Sequence, residues 1–174
     1  TASNAVTATI SSGSGAAYVT VSPDGTRAYV TNNQASNVSV INTTNNTVTA
    51  TITGFNYPRG VAISPDGSLL YVTNQNGNSV SVITIANIGT ATNPVTATIA
   101  VGGGPVYAAI SSDGSRVYVS NVNDGTVSVI DTVASSWRDS ASTMPVPRPG
   151  FRTSSSPGMP MPLSSTLSRQ PVGR

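Results

Sequence analysis

One four-part passage is written into this chain three times, and its parts keep their order. Val6-Thr7-Ala8-Thr9-Ile10 returns as Val48-Thr49-Ala50-Thr51-Ile52 and as Val95-Thr96-Ala97-Thr98-Ile99. Ser22-Pro23-Asp24-Gly25 returns as Ser64-Pro65-Asp66-Gly67 and, altered, as Ser111-Ser112-Asp113-Gly114. Tyr29-Val30-Thr31-Asn32 recurs at Tyr71-Val72-Thr73-Asn74 and Tyr118-Val119-Ser120-Asn121, and Val38-Ser39-Val40-Ile41 at Val80-Ser81-Val82-Ile83 and Val127-Ser128-Val129-Ile130. The step is 42 residues from Ser22 to Ser64 and 47 from Ser64 to Ser111, the added residues lying between Ile83 and Val95. A period of about 40 to 45 residues built from four strand-like pieces is the signature of a β-propeller blade.

Within each copy, apolar and small polar residues alternate and β-branched residues dominate, which is the period of a strand and not of a helix. The first copy predicts strands near Tyr18 to Val21, Ala28 to Thr31, Val38 to Ile41 and Val48 to Ile52. Ser-Pro-Asp-Gly joins the first two: Pro presets φ, Asp bonds back to the backbone, and Gly takes the positive φ that a tight hairpin needs. Asn32, Asn74 and Asn121 end the second strand and open a loop expected to run six residues. The expected fold is therefore all-β: blades of four antiparallel strands, about three of them, forming a partial propeller with a disordered C-terminal tail.

Composition narrows the chemistry. There is no His, Cys, Lys or Glu, so a Ser-His-Asp triad, a Cys-His pair and the usual zinc sites are excluded. Asp24, Asp66 and Asp113 serve the same turn in successive copies, which makes paired catalytic carboxylates improbable. The residues thus lean away from an enzyme, and neither cofactor nor metal is expected. Charged residues are only 8% of the chain. Residues 1–136 hold three Arg against five Asp, and the basic excess sits after them, so no basic stripe crosses the repeats and nucleic acid is not an expected partner. No apolar run is long enough to span a membrane.

Residues 6 to about 133 resemble the YVTN-type β-propeller repeat family, on the strength of Ser64-Pro65-Asp66-Gly67, Tyr71-Val72-Thr73-Asn74 and Val80-Ser81-Val82-Ile83. The resemblance implies a propeller of usually seven blades, among surface-layer and other exported bacterial proteins, in a wider group that includes lactonase-like propellers. With the hydroxyl-rich composition, it implies an extracellular or cell-surface location.

The repeats are expected over residues 1–136, with blades near 16–52, 59–99 and 105–133 and the strand at 6–10 belonging to a neighbouring or closing blade. Regularity stops at Trp137, where a fourth strand of the third copy should begin. From there seven of the twelve Pro and all three Met fall in a Pro/Ser/Arg-rich stretch, 137–174, that offers little with which to build a core. Two accounts of it compete: a natural linker, or a sequence that has left its original reading frame. An arc of three blades leaves an apolar face open at each end. Six Val or Ile side chains left in water forgo about 1.5–3 kcal/mol each, roughly 10 kcal/mol together, comparable to the stability of a whole domain. The chain is accordingly expected to be a piece of a larger propeller or to self-associate and complete one.

Binding groups are sought on the loops. Tyr57 and Arg59, in the connection entering the second blade, share a face with the loops carrying Asn33, Asn76 and Asp124, and these five are the candidate residues for an anionic or carbohydrate ligand. Tyr18, Gly60 and Tyr107 fall at one repeat position near the channel. Gly102-Gly103-Gly104 precedes a strand and not a helix, which argues against a phosphate cradle. From the composition together with what the resemblance implies, the leading expectation is a non-catalytic exported or cell-surface propeller that binds a protein or carbohydrate partner or serves as a structural module. The alternative is a fragment of a lactonase-like propeller hydrolase.

Overall fold

The computed structural model describes residues 4–133, which form three antiparallel sheets arranged as a partial β-propeller. The first blade contains β1 (Ala16–Val21), β2 (Arg27–Asn32), β3 (Asn37–Asn42) and β4 (Thr47–Thr53), hydrogen-bonded in that order. The second contains β5 (Pro58–Ile63), β6 (Leu69–Asn74), β7 (Ser79–Thr84) and β8 (Val95–Ala100). The third has three strands, β9 (Pro105–Ile110), β10 (Arg116–Asn121) and β11 (Thr126–Asp131). Asn37 pairs with Asn32, so the ladder runs further than expected and the β2–β3 loop is residues 33–36, shorter than predicted.

Two expectations at the ends fare differently. The strand expected over Val6–Ile10 does not form: these residues belong to no sheet, and Val6 is 87% exposed. The same five residues make a good strand in β4 because β3 lies beside them. Val6–Ile10 has no third strand to pair with, and propensity alone does not hold a strand in water. The expected fourth strand of the third blade, near Trp137, and the stretch 137–174 lie outside the described residues.

The blades adhere through alternating faces. Tyr29, Val38, Val40 and Ile52 of the first blade pack against Val61, Leu70, Val72 and Ile83 of the second. The second blade then offers Leu69, Tyr71, Val80 and Val82 to Val117, Val119 and Ile130 of the third. Because successive side chains of a strand point to opposite faces, Tyr-Val in the repeat sends Tyr to the following blade and Val to the preceding one. The next two residues add polar staples. The Thr31 hydroxyl donates to the Arg59 carbonyl at 2.6 Å, and Thr73 repeats this to the Val106 carbonyl at 3.2 Å. The amide nitrogens of Asn32, Asn74 and Asn121 each donate to a serine hydroxyl of the third strand, Ser39, Ser81 or Ser128, at 2.9 Å. Burying these polar groups is tolerable because they are paired.

The turns at the opposite end are built alike. Asp24, Asp66 and Asp113 each accept from the serine two residues before and from the amide two residues after, the latter at 3.0 Å in every copy. Gly25, Gly67 and Gly114 take φ of 71°, 71° and 72°. Ser112 in place of Pro leaves the pattern intact. Hydrogen bonds from Ser64 and then Ser68 pull the Asp66 carboxyl down to about 2, those from Ser111 and then Ser115 do the same for Asp113, and Asp24 is lowered by Ser22 and then Thr26.

Two outcomes follow from this packing and these turns. Leu70→Ala removes a fully buried side chain and should cost about 2–5 kcal/mol, while Val122→Ala at an exposed site should change stability by less than about 0.5 kcal/mol; chemical denaturation distinguishes them. A carboxyl whose folded value lies below its ordinary 3.8 stabilises above that ordinary value and ceases to as the pH falls through the folded one. The melting temperature should therefore hold from neutral pH to about 4 and decline from there toward about 2, with a shallower decline in Asp66→Asn.

Candidate functional site

β5 lies between β1 and β9 as the inner strands of adjoining blades, and their shared end forms the candidate site. Tyr18 on β1 and Tyr107 on β9 occupy the repeat position that holds Gly60 in β5. A side chain at Gly60 would run into the Val106 carbonyl and the Tyr107 backbone, so glycine lets the strands close up and the two tyrosines meet across it. Their ring centroids are 4.9 Å apart at 75°, an edge-to-face pair. The hydrogen bond to Tyr18 is the main cause that raises the Tyr107 phenol above its ordinary 10, while the nearby Arg59 charge pulls the other way. Tyr107 is thus a protonated donor at neutral pH.

Arg59 completes the cluster. Its backbone carbonyl is held by Thr31, and one terminal nitrogen donates to the Gln75 side chain at 3.2 Å. Its Nε is buried and has no hydrogen-bond partner among the described residues. A guanidinium has five donors, and the described contacts place one of them on Gln75. No carboxylate pairs with it among the described residues.

The five candidates from the loops divide. Tyr57 and Arg59 stand at the same blade entry, and Gln75 joins them: the Tyr57 carbonyl accepts from the Gln75 amide at 3.1 Å, while the Gln75 side chain holds Arg59. Asn76 follows Gln75 in a short 3₁₀ turn and is exposed. Asn33 occupies the matching loop of the first blade, its amide bonded to the Gly15 carbonyl at 2.9 Å. Asp124 is committed to its own blade: one carboxylate oxygen accepts from Gly103 at 2.5 Å. In the second blade the equivalent amide, of Asn56, goes to the Asn74 side chain instead. With Gly103 taken by Asp124, the Asn121 side-chain oxygen is left buried without a partner. The Gly102–Gly104 amides bond to protein side chains.

Tyr57 is backbone-strained. Its φ is 56°, the left-handed region, at the position where the other blades carry Gly15 (73°) and Gly104 (64°). A bulky residue there is an outlier that costs of order 1–3 kcal/mol. Repeat alignment could have found this, since Tyr57 replaces glycine in register. Tyr18 and Tyr107 were visible in the same way, whereas Gln75 carried no sequence signal.

Comparison with known proteins agrees with this architecture. The family model for lactonases described as "Lactonase, 7-bladed beta-propeller" matches residues 1–103. The chain belongs to this lactonase propeller family. No curated protein matches it. Among solved structures it resembles the hydrazine synthase of Kuenenia stuttgartiensis, with 28% identity and a TM-score of 0.63 over 76% of this chain and 36% of that one. It also resembles two proteins described as candidate 6-phosphogluconolactonases. The one from Bacteroides uniformis has 21% identity and a TM-score of 0.61 over 68% of this chain and 36% of that one. The one from Bacteroides fragilis has 19% identity and a TM-score of 0.62 over 70% of this chain and 36% of that one. The chain thus spans about a third of the length of these structural relatives, whose low identities show fold alone.

The lactonase match overturns the leading expectation of a non-catalytic surface module. That expectation leaned on which residue types the chain lacks and on the character of its surface. Such evidence describes these blades and leaves the family's activity untouched.

The strain at Tyr57 has a clean test. Tyr57→Gly should be more stable than Tyr57→Ala by about 1 kcal/mol, because only glycine takes the left-handed region freely. The reverse order in thermal unfolding would show that Tyr57 is not strained.

Proposed function

We propose that the chain is part of a lactonase-like propeller hydrolase, and that its Tyr18–Arg59–Tyr107 cluster contributes to holding an anionic lactone at the channel mouth. The observation carrying this reading is the family match over residues 1–103, a span that contains Tyr18 and Arg59. Within the family, the recurring Tyr-Val-Thr-Asn pattern points to the YVTN type of repeat. Hydrolysis adds water to the ring carbonyl, passes through a tetrahedral oxyanion, and breaks the ring C–O bond as the departing oxygen takes a proton. Arg59 and the two phenols are donors, suited either to a carboxylate or phosphate on the substrate or to the oxyanion. The three turn aspartates lie at the other end of the blades and their carboxylates are occupied by the turns. Water activation is therefore assigned neither to this cluster nor to the turn aspartates.

The chain should bind 6-phosphogluconate, the hydrolysis product implied by the descriptions of two structural relatives. Arg59→Ala should weaken binding about 10- to 100-fold, the loss expected of a charge-assisted hydrogen bond, as measured by calorimetric titration. No binding, or binding indifferent to Arg59, would overturn the reading.

A further inference from the structure

The second blade departs from the repeat at three places that meet in space. Where the first and third blades carry Gly15 and Gly104, Ala17 and Val106, and Asn33 and Val122, the second carries Tyr57, Arg59 and Gln75. The three are joined: the Gln75 amide donates to the Tyr57 carbonyl at 3.1 Å, and Arg59 donates through Nη1 to the Gln75 side-chain oxygen at 3.2 Å. Both faces of this blade are covered by described neighbours.

The backbone link is common to all three blades, since the Asn33 amide donates to the Gly15 carbonyl at 2.9 Å and the Val122 amide to the Gly104 carbonyl at 3.0 Å. What differs is the loop beyond it. In the first and third blades a second link follows, Ala35 to the Ser14 carbonyl and Asn123 to the Gly103 carbonyl, each at 3.1 Å. There the loop packs down on the glycine. A Cβ at Gly15 would run into the Asn33 and Gln34 side chains, and one at Gly104 would meet the Asn123 side chain at 2.6 Å. Tyr57 has that Cβ, in the same left-handed backbone region. The second link has no counterpart in this blade among the described residues, and Gln75–Gly77 winds into a 3₁₀ turn instead. Asn33, the counterpart of Gln75, lies over Gly15, whereas Gln75 lies against Arg59.

We infer that Tyr57 and Gln75 are positioning residues for Arg59: the Tyr57 Cβ denies Gln75 the space above the blade entry, and Gln75, turned to Arg59 instead, fixes the direction of the guanidinium. The strain at Tyr57 thereby gains a consequence, a local backbone cost retained where it directs a binding group. A guanidinium already held in one direction loses less rotamer freedom when an anion arrives. This deepens the anion-holding role proposed for Arg59, and it rests on that reading for its consequence and not for its geometry.

Two readouts on the 174-residue chain test the inference apart from that reading. In heteronuclear NMR the Arg59 guanidinium, identified by its loss in Arg59→Ala, should rotate slowly in the parent and in Tyr57→Ala, which keeps the Cβ. It should rotate freely in Gln75→Ala and Tyr57→Gly. In calorimetric titration with 6-phosphogluconate, Gln75→Ala and Tyr57→Gly should bind about tenfold more weakly than the parent, and Tyr57→Ala within about threefold of it. Gln75→Ala should add no further loss in an Arg59→Ala background, because it acts through Arg59. Tyr57→Gly is expected to be more stable than Tyr57→Ala, so a merely structural role for Tyr57 would give the opposite order of binding. A guanidinium that rotates freely in the parent, that is unchanged by Gln75→Ala or Tyr57→Gly, or a Gln75→Ala loss that persists without Arg59 would overturn the inference. Slow rotation lost in those two variants, with no binding of 6-phosphogluconate by the parent, would uphold the positioning and overturn the anion reading alone.

Discussion

The structure depends on one interface used repeatedly: the tyrosine-bearing face of a sheet pressed against the valine-bearing face of the next. A single four-stranded blade buries too little apolar surface to stand alone. Tyr29 and Tyr71 are fully covered because a neighbour follows them, while Tyr118 has the same sequence context and stays half exposed. Burial here belongs to position in the stack and not to residue type.

The polar residues of the repeat turn that adhesion into alignment. Hydrophobic contact is non-directional, and two apolar faces could slide. The Thr31 hydroxyl on the Arg59 carbonyl and Thr73 on the Val106 carbonyl set the height of each inner strand against the previous blade. The same bonds place the functional candidates, since Arg59 and the residue before Tyr107 are the ones being held. The tyrosine pair meets because β1 and β9 are each fixed to β5, and because Gly60 leaves the space between them.

Much of this was legible in the sequence. The strands, the Asp-centred turns and the blade count follow from three copies in register, each copy checking the others. Tyr57 also stood out in principle, as the one blade entry without glycine. The strand over Val6–Ile10 misled, because identical residues in β4 fold only against β3. Asp124 looked like a free loop acid and proves to be bonded to Gly103. Gln75, which orients Arg59, is an unremarked loop residue whose importance lies wholly in what stands opposite it. The functional class was misjudged from missing residue types, whereas the family match reads the pattern those blades share.

By itself the sequence determined the local elements and their order, because alternation, turn chemistry and repetition act over a few residues at a time. Only the tertiary structure decided which chemically equivalent residues become core, which meet as a site and which remain open. Those outcomes depend on neighbours some 40 residues away, brought close by stacking, and the stacking supplies Tyr71 with a cover that it denies to Tyr118.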